Sequence, residues 1–140
     1  MSTRSQIAIQ LESGTIRTVY CHFDGYLEGV GATLLHHYNT FQDAYDLIEL
    51  GNISQLHETI ENPTSHSFAT PAEACTVFYG RDRAEKDQGP KDFEKFSEFM
   101  TYCQNAWAEF VYLYSMGEWT VYQLNGQRLT PEMVREEAQF

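Results

Sequence analysis

The stretch Glu109-Phe110-Val111-Tyr112-Leu113-Tyr114-Ser115-Met116-Gly117-Glu118-Trp119-Thr120-Val121-Tyr122-Gln123-Leu124-Asn125-Gly126-Gln127-Arg128-Leu129 reads as three consecutive antiparallel strands. Residues 109–115 and 118–124 are rich in the β-branched and aromatic residues that suit a pleated, half-buried surface. Met116-Gly117 separates the first pair. Asn125-Gly126 separates the second, and Asn-Gly is the strongest short signal for a type I′ turn, in which both central residues need positive φ. Thr130-Pro131 then supplies an N-cap followed by proline at the first helical position, which predicts a short final helix through Ala138.

At the other end of the chain, residues 5–12 and 15–23 predict a second hairpin. Ile7, Ile9 and Leu11 alternate with polar or small neighbours, the period-2 pattern of a strand buried on one face. A two-residue turn at Ser13-Gly14 would set Leu11 opposite Ile16, Ile9 opposite Thr18 and Ile7 opposite Tyr20. Asp24-Gly25-Tyr26 breaks the second strand.

The middle of the chain turns helical. Gly29-Val30-Gly31 leads into a short helix from Ala32 to Tyr38. Thr40 is placed to cap a second helix, Phe41 to Leu50, with Ala44, Leu47 and Ile48 on one face and Gly51 as its stop. Ile53 and Leu56 suggest one more packed turn. Glu58 to Ala74, broken by Asn62-Pro63 and Thr70-Pro71, reads as a loop, Cys75 to Tyr79 as a short strand, and Arg81 to Pro90 as a charged mobile loop. Pro90 fits the first turn of a helix running to about Gln104, with Phe93, Phe96, Met100 and Cys103 as its apolar stripe.

Strands grouped in hairpins rather than alternating strictly with helices indicate an α+β fold: an antiparallel sheet, from the N-terminal hairpin and the C-terminal meander, packed against helices on one face. With 140 residues, 42% of them hydrophobic, the chain suits one domain over residues 1–140, with flexible loops near 58–74 and 81–90. No apolar run reaches the roughly 20 residues needed to span a bilayer, and the first residues lack the pattern of a signal peptide, so a cytoplasmic protein is expected. An uncovered sheet face carrying Val19, Cys21 and Phe23 would favour a homodimer.

The net charge is -11, and no Lys or Arg occurs between Arg17 and Arg81. That interval carries Asp24, Glu28, Asp43, Asp46, Glu49, Glu58, Glu61 and Glu73 together with all five histidines. Such a balance repels nucleic acid and anionic membranes, and it favours either plain solvation or a basic partner. The candidate partner surface is Glu28, Asp43, Asp46, Glu49, Glu58 and Glu61. Cys21, Cys75 and Cys103 are widely spaced, without the C-x-x-C of a zinc ribbon or thioredoxin-type motif, and should be reduced and buried.

A second candidate site, for a small nucleotide-like ligand, is Tyr20, His22, Asp24, Tyr26, Gly29 and Gly31. His22 and Asp24 share a strand face and could pair, and the glycines could offer free amides to an anion. Cys21 and His22 are neighbours in a strand and point to opposite faces, so they do not form a nucleophile–base pair. H-E-x-x-H, G-x-S-x-G and Walker spacings do not occur. The expectation is therefore no catalytic residues, no metal ligands and no cofactor, with a metal-dependent enzyme built from scattered His and Asp as the remaining alternative.

Thr3-Arg4-Ser5-x-Ile7-Ala8, Tyr20-Cys21-His22-x-Asp24-Gly25-Tyr26-x-x-Gly29-Val30-Gly31, Leu50-Gly51-x-Ile53-Ser54 and Trp119-x-Val121-Tyr122 resemble a family of small proteins from tailed phages, prophages and other mobile elements. The resemblance covers the first 56 residues and, more loosely, the final meander; Glu58 to Lys91 does not match. It implies an accessory gene product, a class that often inhibits host restriction, CRISPR or signalling defences, and it carries no catalytic residues. The expected function is thus a non-enzymatic protein that binds and inhibits a host factor with a basic surface, without contacting nucleic acid or membrane itself.

Overall fold

The alternation of Ser5–Gln10 (β1) decides the architecture, because this strand separates two apolar layers. In the computed structural model, which describes residues 3–61, 67–72, 74–123 and, as backbone only, 127–129, Ile7 and Ile9 enter one core and Ala8 enters another on the opposite face. β1 lies between Ile16–Cys21 (β2), antiparallel to it, and Phe110–Ser115 (β6), parallel to it. Glu118–Gln123 (β7) and Gln127–Leu129 (β8) continue the sheet antiparallel beyond β6. On the other side β2 is bordered along its length by two short strands. Lys91–Phe93 (β5) pairs antiparallel with residues 16–18, and Ile53–Gln55 (β3) pairs parallel at Cys21, with Val77–Phe78 (β4) outside it. The fold is α+β with a mostly antiparallel sheet that includes two parallel junctions.

The helices sit on both faces. A π-helical turn, Leu27–Gly31, runs into Ala32–His37 (α1), and Phe41–Glu49 (α2) follows. Their Leu34, Ala44, Leu47 and Ile48 pack with Ile7, Val19, Cys21, Tyr112 and Trp119. Phe96–Asn105 (α4) buries Phe99 and Cys103 on the other face, against Ala8, Ile16, Val111 and Leu113. Val19 and Cys21 are therefore core residues, 1% and 0% exposed. The uncovered face expected to drive dimerisation is absent at these residues, and only Phe23 is exposed.

Several local readings change. The N-terminal hairpin closes through a three-residue loop, not two: Leu11 N donates to the Thr15 carbonyl and Gly14 N to the Leu11 carbonyl. Gly14 takes φ +92°, the left-handed conformation of a type I turn followed by a bulge. The register consequently shifts by one, to Ile9 opposite Arg17 and Ile7 opposite Val19, and the isoleucines still face a core. Ile53 belongs to β3 rather than to a turn. Tyr79–Arg83 forms a short helix (α3) that includes Gly80, so the strand before it ends at Phe78 and the loop begins later than Arg81. Pro90 precedes β5, and α4 starts only at Phe96; its buried stripe is Phe99 and Cys103, while Phe96 is 44% exposed. Met116 and Gly117 turn with φ 53° and 86°, as the primed hairpin requires. The Asn125-Gly126 turn, the terminal helix from Thr130, His66 and Glu73 lie outside the described residues.

Candidate functional site

Thr40 fixes where α2 begins, since its side chain accepts from Asp43 N at 3.1 Å, satisfying one of the free amides of the first turn. At about 100° per residue, Ala44, Leu47 and Ile48 face inward while Asp43 and Asp46 fall together on one flank. Opposite that flank runs the segment Glu58–Glu61. It is held by Thr59 N to the Ala74 carbonyl at 3.1 Å, Thr76 N to the Thr59 carbonyl at 2.9 Å, and an Arg81 guanidinium that donates to the Ile60 carbonyl. Between the two lies a cleft of about 370 Å³ lined by His37, Tyr38, Asp43, Asp46, Glu58 and Glu61, with Thr59 and Ile60. Its floor is rigid: Tyr38 is 3% exposed, its hydroxyl donates to the His57 carbonyl at 2.7 Å, and burial pushes its pKa up to about 12.

Four of the six carboxylates expected on a partner surface thus converge. Glu49 does not join them, because Arg17 claims it: the guanidinium contacts Glu49 and also donates two bonds to Asp92, at 2.8 and 3.0 Å. Glu28 sits on the π-helical turn and does not line the cleft. Among the described residues no lysine or arginine forms an ion pair with Asp43, Asp46, Glu58 or Glu61. Arg81 reaches the wall, but its charge is matched by Asp82 at 2.9 Å. A second concavity missed by sequence reasoning lies on the other flank of α2. It measures about 440 Å³, and Leu11, Phe41, Tyr114 and Met116 make its apolar part beside the polar Gln10, Glu12 and Ser115. Nothing in the sequence pattern announces it, because the parallel β1–β6 pair is what brings the two hairpin turns to one end of the sheet.

The alternative ligand site comes together differently from expectation. His22 Nδ1 pairs with the Tyr20 hydroxyl at 2.5 Å, and the His22 ring stands edge-on to Phe23. Asp24 instead accepts from the Tyr26 hydroxyl at 3.3 Å, and its carbonyl accepts from Val30 N at 2.8 Å. The Gly29 and Gly31 amides donate to the Tyr26 carbonyl at 3.1 and 3.4 Å. These amides are thus spent inside the turn and do not point at an anion. A Cβ on Gly29 would lie 2.4 Å from the Asp24 carbonyl, and one on Gly31 would lie 3.3 Å from the Tyr112 ring, so close packing accounts for both glycines. Among the described residues no group of three or more His, Cys, Asp or Glu side chains is placed to hold a metal ion. Burial raises the Cys21 and Cys103 thiols to about 12, and Cys75 is also buried. Among the described residues no helix is long and apolar enough to cross a membrane.

No family model, curated protein or solved structure matches the chain.

Proposed function

We propose that the chain is a non-enzymatic accessory protein of a mobile element, acting in the host cytoplasm, that inhibits a host factor by occupying a basic surface on it. The observation that carries this reading is the convergence of Asp43, Asp46, Glu58 and Glu61 on one cleft without a lysine or arginine partner among the described residues. Four like charges around one cleft, two on each wall, raise the local potential, steer a cationic partner and repel nucleic acid. The resemblance to phage proteins supplies the biological setting.

The test is capture from host lysate by the tagged protein, compared with D43N/D46N/E58Q/E61Q. The wild type should retain a basic, nucleic-acid-handling protein. At about 0.5 kcal/mol for each exposed charge contact, the neutralised variant should bind about 30-fold more weakly, and the wild-type affinity should fall with added salt. Equal capture by both forms, or no basic protein captured, overturns the reading.

A further inference from the structure

The acidic cleft and the apolar groove share α2 as their common wall, and their chemistries are complementary halves of one kind of ligand. Asp43 and Asp46 line the cleft on one flank, while Phe41 lines the groove on the other and stacks with Tyr45, the centroids 6.0 Å apart. Gln42 occupies the crest between them and donates to Asp46 Oδ1 at 2.7 Å. Both apolar walls of the groove protrude: Phe41 is 43% and Met116 100% exposed. A fully exposed methionine at a turn tip does nothing for the core, and Phe41, stacked on Tyr45, still leaves much of its ring to solvent; an adaptable thioether and an aromatic ring suit an apolar side chain from outside.

We propose that α2 is a docking ridge for a basic segment of a partner protein. The segment lays arginine or lysine side chains in the cleft and, across the width of the helix, one aliphatic side chain in the groove between Phe41 and Met116. This rests on the acidic-cleft reading above and adds a bipartite specificity to it. Charge complementarity selects the occupant, since an acidic or neutral peptide would gain nothing on the cleft side. The width of a helix, about 10 Å, corresponds to about three residues of extended chain, which fixes the spacing between the apolar and the cationic positions.

The experiment is fluorescence anisotropy of the full chain with two labelled synthetic peptides. One carries four arginines; the other adds a leucine separated from them by Gly-Ser-Gly. The leucine should tighten binding about tenfold. Two variants probe the groove without threatening the fold. M116N places Asn-Gly in the primed turn, where it is the preferred pair, and F41S changes a half-exposed ring; each should remove the leucine's gain and leave the arginine-only affinity unchanged. D43N/D46N/E58Q/E61Q should weaken both peptides. If the arginine peptide binds but leucine adds nothing, or its gain survives M116N and F41S, the ridge is overturned while the acidic reading stands. If neither peptide binds, both fall.

Discussion

Trp107 carries a left-handed backbone that an aromatic residue seldom adopts. It follows α4 with φ 62° and 76% exposure. Ala108 N donates to the Cys103 carbonyl and Trp107 N to the Gln104 carbonyl, the paired bonds of a Schellman helix end, whose left-handed position glycine normally fills. A tryptophan there bears a Cβ penalty and buries little in return. Trp107→Gly should therefore stabilise the fold by about 1 kcal/mol, read as a higher urea midpoint at unchanged slope. A lower midpoint would mean that the indole makes a contact worth more than the strain. Tyr112 illustrates the opposite economy. It is 1% exposed, its hydroxyl donates to the Gly25 carbonyl at 2.7 Å, and burial drives its pKa well above the usual tyrosine value; that one bond ties the sheet to the loop before the π-helical turn.

At the scale of elements, β5 shows why part of the fold was not legible. Lys91-Asp92-Phe93 is three residues long, too short for any periodicity, and the proline before it imitates a helix start. What pins it to β2 is an ion pair across the strands: Arg17 opposite Asp92 in the register, with two guanidinium bonds to the carboxylate. The hydrogen bonds from Arg17 hold the Asp92 carboxyl below the ordinary carboxylate range. Because the folded pKa is depressed, the stabilisation is present above the unfolded value of about 4 and is lost as pH falls through the folded one. Asp92 is partly exposed, with 46% of its side chain accessible, so solvent screening keeps the effect to about 0.5–1 kcal/mol. Thermal melts of D92N should lie below wild type at pH 7 and merge with it near pH 2. A gap that persists at pH 2 would assign the loss to packing instead. The hairpins, in contrast, were readable from their alternation, and so was α2 from its cap and stripe. The register of the N-terminal hairpin differs because Glu12 joins Ser13 and Gly14 in the loop, which no count of apolar positions reveals. The same limit applies to the candidate site. The carboxylates were visible as a set, but Glu49 left it through Arg17, a cation from outside the basic-free interval. The apolar groove arises only when two turns about a hundred residues apart meet.

That meeting belongs to the whole molecule. β1 joins β2 through a local hairpin but joins β6 across most of the chain, so neither core can close until the C-terminal third has found the N-terminal strand. One strand then serves both layers, Ile7 and Ile9 on the α1–α2 side and Ala8 on the α4 side, and a loss on either face should be felt on the other. Phe99, 0% exposed on α4, and Trp119, 4% exposed on the opposite face, allow this to be measured. In a Trp107→Gly background Trp119 is the sole tryptophan and reports on the α1–α2 layer. Phe99→Ala removes about 3–5 kcal/mol from the α4 layer. If the sheet couples the layers into one cooperative unit, the Trp119 fluorescence transition in urea should move to lower denaturant by the full amount and coincide with the loss of far-ultraviolet circular dichroism. A Trp119 midpoint that stays in place while the dichroism shifts would divide the molecule into two independently melting halves, with α2 and its flanking cleft and groove in the half that survives.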